Sequence, residues 1–389
     1  MNIVIAPQAF KGSMDATEVA HAIARGVRQV FPNSRLAILP VADGGEGTVR
    51  ALVQASRGRT VTTRVMGPLE RPVNATWGIM GDEETGVIEM SAASGLPLIR
   101  RNERNPMRTT TYGTGELIRH ALDFGLRQLI IGIGGSATND GGAGMAMALG
   151  VRFLDAEGHP LPLGGGALRR LQSIDVTGLD SRVLDIQVEV ASDVNNPLTG
   201  PSGASHVYGP QKGADSQMVR ELDAALEHYA EVLARDVGVE VRDLAGAGAA
   251  GGLGAGLVAF LNAGMRSGVE IVFNAMHLDE HLAGADLVFT GEGRLDRQDL
   301  YGKAPIAVAH RAHEFGVPCI AVVGSTGRDY HVVYEHGLDA VICTVNRPMP
   351  LERAVSEGPR LVAEAAMRAC RLVVVGERLR EKQSPEVRT

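Results

Sequence analysis

The apolar positions of this chain alternate between two rhythms. Ile3, Val4 and Ile5 form a short unbroken run, and Val19, Ile23, Val27 and Val30 then recur at i, i+4, i+8 and i+11, the spacing of one helical face. Asp15 with Glu18 supplies a capping box for that helix. A second strand–helix unit follows, Leu36 to Leu39 leading through Val41, Ala42, Asp43, Gly44, Gly45, Glu46 and Gly47 into a helix from about Thr48. Between residues 60 and 90 the rhythm changes. Runs at 61–68, 73–79 and 87–90, separated by turn residues, predict antiparallel strands and a new domain.

After Tyr112 the alternation of strand and helix returns. A helix is expected over 115–124 and strands at 129–133, 188–191, 287–289, 320–323 and 340–343, the last three alternating with helices at 304–315 and 351–372. The resulting class is α/β with two α/β domains. Residues 1–62 with 285–389 are expected to form a discontinuous parallel-sheet domain from both chain ends, and 63–284 an inserted domain with a mixed sheet. The polar tail from Glu377 onward is expected to fray.

Composition narrows the function classes. With 389 residues, 44% hydrophobic and 21% charged, the chain has enough apolar side chain for a core and too little charge for disorder. Lys and Arg number 38 against 45 Asp and Glu, a net charge of −7, so neither nucleic acid nor an anionic membrane is an expected partner. Cys319, Cys343 and Cys370 have neither CxxC spacing nor neighbouring His clusters, so no disulfide framework or structural zinc is expected. The start of the chain lacks the charged and apolar regions of a signal peptide, and a cytoplasmic location follows as an expectation. Residues 244–265 carry no charge, but seven glycines there make a loop entering a buried helix a better reading than a membrane span.

Glycine itself is in excess. The chain has 49, about 13% against an average near 7%. Many fall after β-branched runs, where a missing Cβ lets main-chain N–H groups approach a ligand.

In open α/β sheets ligands bind beyond the carboxyl ends of strands, so the residues following each strand carry the chemistry. Lys11 follows the first, and Asp43 and Glu46 the second. Gly134, Gly135, Ser136, Thr138, Asn139 and Asp140 follow the strand at 129–133, forming a glycine-rich anion cradle with hydroxyls and one carboxylate. Asp193 and Asn196 follow the strand at 188–191, and Lys212 sits in a Gly-Pro-Gln-Lys-Gly loop. Glu292, Arg294 and Asp296 follow the strand at 287–289, in a charged loop with Lys303 downstream. Acids for Mg²⁺, cations for phosphate and bare amides to cradle it are the parts that phosphoryl transfer requires. Other templates fit poorly. The literal GxGxxG at 246–251 has no buried strand before it, and the Walker A, HRD and DFG patterns are absent.

Together these stretches resemble the type I bacterial glycerate kinase family. The resemblance rests on Phe10 with Lys11, the 40–48 run around Asp43, Glu89 with Met90, the 109–117 run from three threonines, the 131–144 run, Asp193 with Asn196, the 209–214 run, the 246–252 run, and 290–294 with Asp296. It implies ATP- and Mg²⁺-dependent phosphorylation of D-glycerate, with 2-phosphoglycerate the favoured product, on two α/β domains with the active site between them. Two positions depart from the family. Gln8-Ala9 stand where it usually has Asp-Ser, and Asp299 where it has Thr or Ser, so no roles are carried over there.

A small anionic substrate needs a cation for its carboxylate and a carboxylate near its reacting hydroxyl. Asp193 is the expected base, with Asp43 second and Lys11 as a further catalytic residue; Arg294, Lys212 and Asn196 are expected to bind substrate, and the 134–140 turn phosphate. Glu292 and Asp296 are expected to hold Mg²⁺. A nicotinamide-dependent hydroxy-acid dehydrogenase and a non-catalytic glycerate or nucleotide sensor are the alternatives.

Overall fold

A computed structural model describes residues 1–42, 45, 47–297 and 304–383. In chain order its strands are β1 (Asn2–Ile5), β2 (Arg35–Ile38), β3 (Arg59–Met66), β4 (Pro72–Ile79), β5 (Thr85–Glu89), β6 (Gln128–Gly132), β7 (Arg152–Leu154), β8 (Ser173–Asp175), β9 (Gln187–Ala191), β10 (Gly264–Arg266), β11 (Leu287–Leu295), β12 (Cys319–Thr326) and β13 (Ala340–Cys343). The chain divides into two compact units, Met1–Ala42 with Val272–Thr389, and Asp43–Ile271. Sequence had put the divisions at 62/63 and 284/285. The earlier first division follows from the helix Thr48–Ala55, which packs on β4 and β5 of the second unit.

The first unit is built on a parallel sheet in the order β13-β12-β11-β1-β2. Ile3, Ile5 and Phe289 pack under the helix Ala16–Arg28, whose Val19, Ile23 and Val27 are fully buried. The capping box forms as its sequence predicts: Glu18 N–H donates to Asp15 Oδ1 at 2.9 Å and Asp15 N–H to Glu18 Oε2 at 3.0 Å. Gly26 lets this helix lie against the helix Gly358–Gln383, since a Cβ there would fall 2.1 Å from the Ala363 carbonyl oxygen.

That last helix corrects two expectations. The predicted 351–372 helix is two, Leu351–Ser356 and Gly358–Gln383, and the second continues to Gln383 where fraying was expected from Glu377. Good helix formers over 377–383 with no Gly or Pro among them account for the extension.

The second unit holds a six-stranded mixed sheet, order β10-β9-β6-β5-β4-β3, and a small β7-β8 pair. β10, β9, β6 and β5 are parallel; β4 and β3 add antiparallel, as the turn-separated runs predict. Trp77, Ile88, Leu129, Phe153 and Tyr229 lie in its core. The 244–265 stretch is a glycine-rich entry to the buried helix Ala249–Leu261, and no described helix is long and apolar enough to cross a membrane.

Candidate functional site

In the second unit the parallel strands end in step. Glu89, Gly132, Ala191 and Arg266 are aligned across β5, β6, β9 and β10, so the residues that follow leave the sheet along one carboxyl edge. Asp193 leaves β9 there. Ser267 Oγ–H donates to Asp193 Oδ1 at 2.7 Å, and Gly268 N–H donates to the same oxygen at 3.0 Å. Gly268 opens the helix Gly268–Ala275, whose first amides favour an anion. Ser267 Oγ in turn accepts Glu270 N–H at 3.4 Å, which fixes the direction of its own hydrogen. A short β10 gives sequence reading little to work with, and Ser267 escaped it.

Glu89 was likewise assigned no role. Its Oε1 accepts Gly47 N–H at 3.0 Å and Val49 N–H at 2.8 Å, capping the helix Thr48–Ala55, which has no side-chain cap of its own. A lone acid closing the apolar run Val87-Ile88 was the available signal. Asp43 and Glu46, which precede that helix, lie outside the described residues.

The glycine-rich turn follows β6. Gly135 is exposed with φ +73°, and the turn is clamped to the 94–96 segment by Leu96 N–H to Gly135 O at 2.9 Å and Ala137 N–H to Ser94 O at 3.0 Å. The amide of Gly135 donates to no acceptor among the described residues, while Gly134 and Gly135 form a hydrogen-bonded turn that closes from Ser136 N–H to Ile133 O. Below this tip Thr138, Asn139 and Asp140 are buried.

Asp140 faces inward. Its Oδ2 accepts Thr111 N–H at 2.8 Å, Thr111 Oγ1–H at 2.9 Å, Gly144 N–H at 3.3 Å and Thr110 Oγ1–H at 3.4 Å, and its Oδ1 accepts Gly142 N–H at 3.3 Å. Burial pushes its pKa up against the pull of these hydrogen bonds. It ties the starts of the helices Tyr112–Asp123 and Ala143–Ala148 together through Thr110 and Thr111, while Thr109 Oγ1–H donates to Ala137 O at 2.7 Å. Asn139 Nδ2 donates to Ser205 Oγ at 3.0 Å, while its Oδ1 has no donor among the described residues.

Lys212, expected to touch substrate, is 1% exposed. Its Nζ donates to Thr138 O at 2.7 Å, from inside the turn. Burial pushes its pKa down to about 7, partly opposed by the charge of Asp140. Asn196 is half-buried and uses both ends of its amide locally, Nδ2 donating to Ser202 O and Oδ1 accepting Tyr208 Oη–H, each at 2.7 Å.

The first unit carries the other expected residues. Lys11 is exposed on the turn after β1. Sequence placed Glu292, Arg294 and Asp296 in a loop, whereas β11 runs on to Leu295, with Arg294 and Leu295 paired to Ser325 and Thr326 of β12. Gly291 makes the extension feasible, because a Cβ there would lie 2.0 Å from Val322 O. Glu292 and Arg294 therefore point to one face of the sheet at period two. Glu292 is buried, and exposed Arg294 pairs with Asp296, Nε to Oδ2 at 3.3 Å. Gln8 N–H donates to Gly291 O at 2.8 Å, holding the segment before Lys11 against β11. Asp299 and Lys303 lie outside the described residues, and among the described residues no group of three or more His, Cys, Asp or Glu is arranged for a metal.

A model of the glycerate kinase family matches residues 3–374. The chain belongs to the glycerate kinase family. It is 51% identical over 364 residues to a glycerate kinase of Halalkalibacterium halodurans, covering 94% of this chain and 96% of that one. It is 49% identical to a glycerate 2-kinase of Escherichia coli K12, over 97% of this chain and 99% of its relative. A crystal structure described as glycerate kinase 2 from Salmonella typhimurium LT2 superposes with a TM-score of 0.88 at 51% identity, covering 97% of this chain and 99% of that one. The glycerate kinase fold is thus an α/β scaffold for a phosphotransferase enzyme.

Proposed function

We propose that this glycerate kinase family member transfers the γ-phosphoryl group of ATP to D-glycerate, giving 2-phosphoglycerate and ADP. The observation that carries the reading is the pairing, at one sheet edge, of an oriented carboxylate with an exposed glycine turn whose Gly135 amide has no acceptor among the described residues: Asp193 after β9 and Gly134 to Ser136 after the adjacent β6.

Asp193 is the base. Held by Ser267 and Gly268 through Oδ1, its carboxylate takes the proton of the 2-hydroxyl. The hydroxyl oxygen then forms its bond to the γ-phosphorus, the bond from that phosphorus to the β,γ-bridging oxygen breaks, and ADP leaves with the electron pair. The amide of Gly135 donates to a phosphate oxygen, while Thr138, Asn139 and Asp140 give the turn its shape from below. Arg294 and Lys11 are the exposed cations assigned to the substrate carboxylate or the phosphates. Asn196 shapes the loop after Asp193, and Asp43 is kept as the second carboxylate.

Mg²⁺ commonly keeps several waters and takes one or two protein carboxylates with substrate phosphates, so Glu292 and Asp296 would hold it, directly or through its waters. When bound, the ion neutralises charge on the phosphoryl group.

ADP release, measured by a coupled assay with and without D-glycerate, tests the reaction, and ³¹P NMR of the product separates the 2- from the 3-phosphate. Asp193→Asn should lower kcat by about 10²–10⁴-fold with the fold intact. Near-normal turnover would remove Asp193 from the role of base, and glycerate-independent ADP release would remove glycerate as acceptor.

A further inference from the structure

We infer that Lys212 is a positioning residue: its buried ammonium, anchored on Thr138 O behind the glycine-rich turn, is the fixed positive charge that readies this turn for a phosphoryl-bearing anion. The inference rests on the reading of the turn as a phosphate site. Lys212 itself touches no ligand.

Three observations lead here. An ammonium taken out of water is costly, and chains retain one where the charge is used. Lys212 is 1% exposed and offers three donors, of which one meets an acceptor among the described residues, the carbonyl of Thr138. Second, neutralising Asp140 does not require contact from Lys212. That carboxylate already accepts from Thr110, Thr111, Gly142 and Gly144, and Lys212 is not among its donors. Third, the turn is held at separate points: the 94–96 segment grips Gly135 and Ala137, Ser205 holds Asn139, and Lys212 pulls on the carbonyl of Thr138, two residues after Ser136. Drawing that carbonyl inward turns its oxygen toward the ammonium and away from the tip, where it would repel an anion. In a low-dielectric interior the charge itself also acts across the short span of the turn.

Burial lowers the pKa of Lys212 to about 7, so the charge is half present near neutral pH, and the binding measurements below are made at about pH 6, where the ammonium is held. Groups facing it electrostatically are few. Asp140 interacts with it directly, and Tyr229, whose Oη has no partner among the described residues, interacts with Asp140.

The test uses the full chain, with Lys212→Met and the double variant Asp140→Asn/Lys212→Met, and ADP and 2-phosphoglycerate as separate probes in calorimetry. Lys212→Met should weaken binding of at least one probe by about tenfold or more, with kcat at saturating substrates changed by only about threefold. The probe affected identifies which phosphate rests on the turn. The double variant removes both charges together. It should regain denaturation midpoint relative to Lys212→Met and yet keep the weakened binding. If it binds both probes as the wild type does, Lys212 serves only to balance Asp140 and the inference is overturned. Should Lys212→Met fail to fold, the double variant alone decides. Wild-type chain binding neither probe would instead overturn the reading of the turn as a phosphate site, a failure seen before any variant is made.

Discussion

Asp140 is the most heavily used side chain of the second unit, and its removal has a magnitude that can be worked through. Asp140→Ala deprives five donors of their acceptor. The two hydroxyls can adapt, since each O–H rotates while its oxygen keeps the amide it accepts, Met145 N–H on Thr111 Oγ1 at 2.9 Å and Tyr112 N–H on Thr110 Oγ1 at 3.1 Å. The main-chain amides of Thr111, Gly142 and Gly144 cannot. Each buried donor left unmade costs about 1–3 kcal/mol, and with two of the three bonds long the total is about 4 kcal/mol. Asp140→Asn behaves differently. Its carbonyl oxygen can occupy the Oδ2 position and keep four of the five bonds, with its NH₂ set against Gly142 N–H at a cost of about 1 kcal/mol. Trp77, the only tryptophan, is fully buried in the same unit and donates Nε1–H to Thr63 Oγ1, so its fluorescence during urea denaturation reports this unit. The Ala variant should lose about four times the stability lost by the Asn variant. Equal losses, or an Ala variant within about 1 kcal/mol of wild type, would refute the account of Asp140 as a main-chain anchor.

Ser267→Ala removes the shorter of the hydrogen bonds that Ser267 and Gly268 make to Asp193, and kcat should fall about tenfold with little change in the KM for glycerate, while Ser267→Thr recovers most of the loss; an Ala variant with unchanged kcat would show that the Ser267 hydroxyl does not orient the carboxylate. Lys212 predicts a pH dependence of stability. Its folded pKa is lowered from 10.5 to about 7, so between those values the unfolded chain binds a proton that the folded chain does not, and stability rises with pH through that window. Trp77-monitored midpoints at about pH 7 and about pH 9 should therefore increase in the wild type and stay level in Lys212→Met, a common slope speaking against the buried lysine as its source. Gly26→Ala would place a methyl 2.1 Å from Ala363 O and should destabilise the first unit by about 1–3 kcal/mol, read as faster amide exchange in the helix Ala16–Arg28. Protection equal to wild type would mean that the two helices separate without cost.

Local rules were enough for much of the fold. β-Branched runs, helical spacing and the Asp15–Glu18 box act over a few residues, so strands such as β1, β6 and β12 and the helix Ala16–Arg28 follow from the chain itself, and so does the change to antiparallel pairing at β3 and β4. Membership of the glycerate kinase family was equally visible, because it rests on long ordered motifs. What the sequence left undetermined was the direction in which each polar side chain faces. Lys212 and Asp140 have the composition of surface chemistry, yet both are buried, because the groups that receive them come from residues 110, 111, 138, 142 and 144, brought close only by packing. Ser267 and Glu89 were passed over for the same reason: each acts on a segment more than 40 residues away or on a strand end that has no local signature. A hydrogen bond between distant segments has no period along the chain, and only the tertiary structure decides which donors a buried charge will meet.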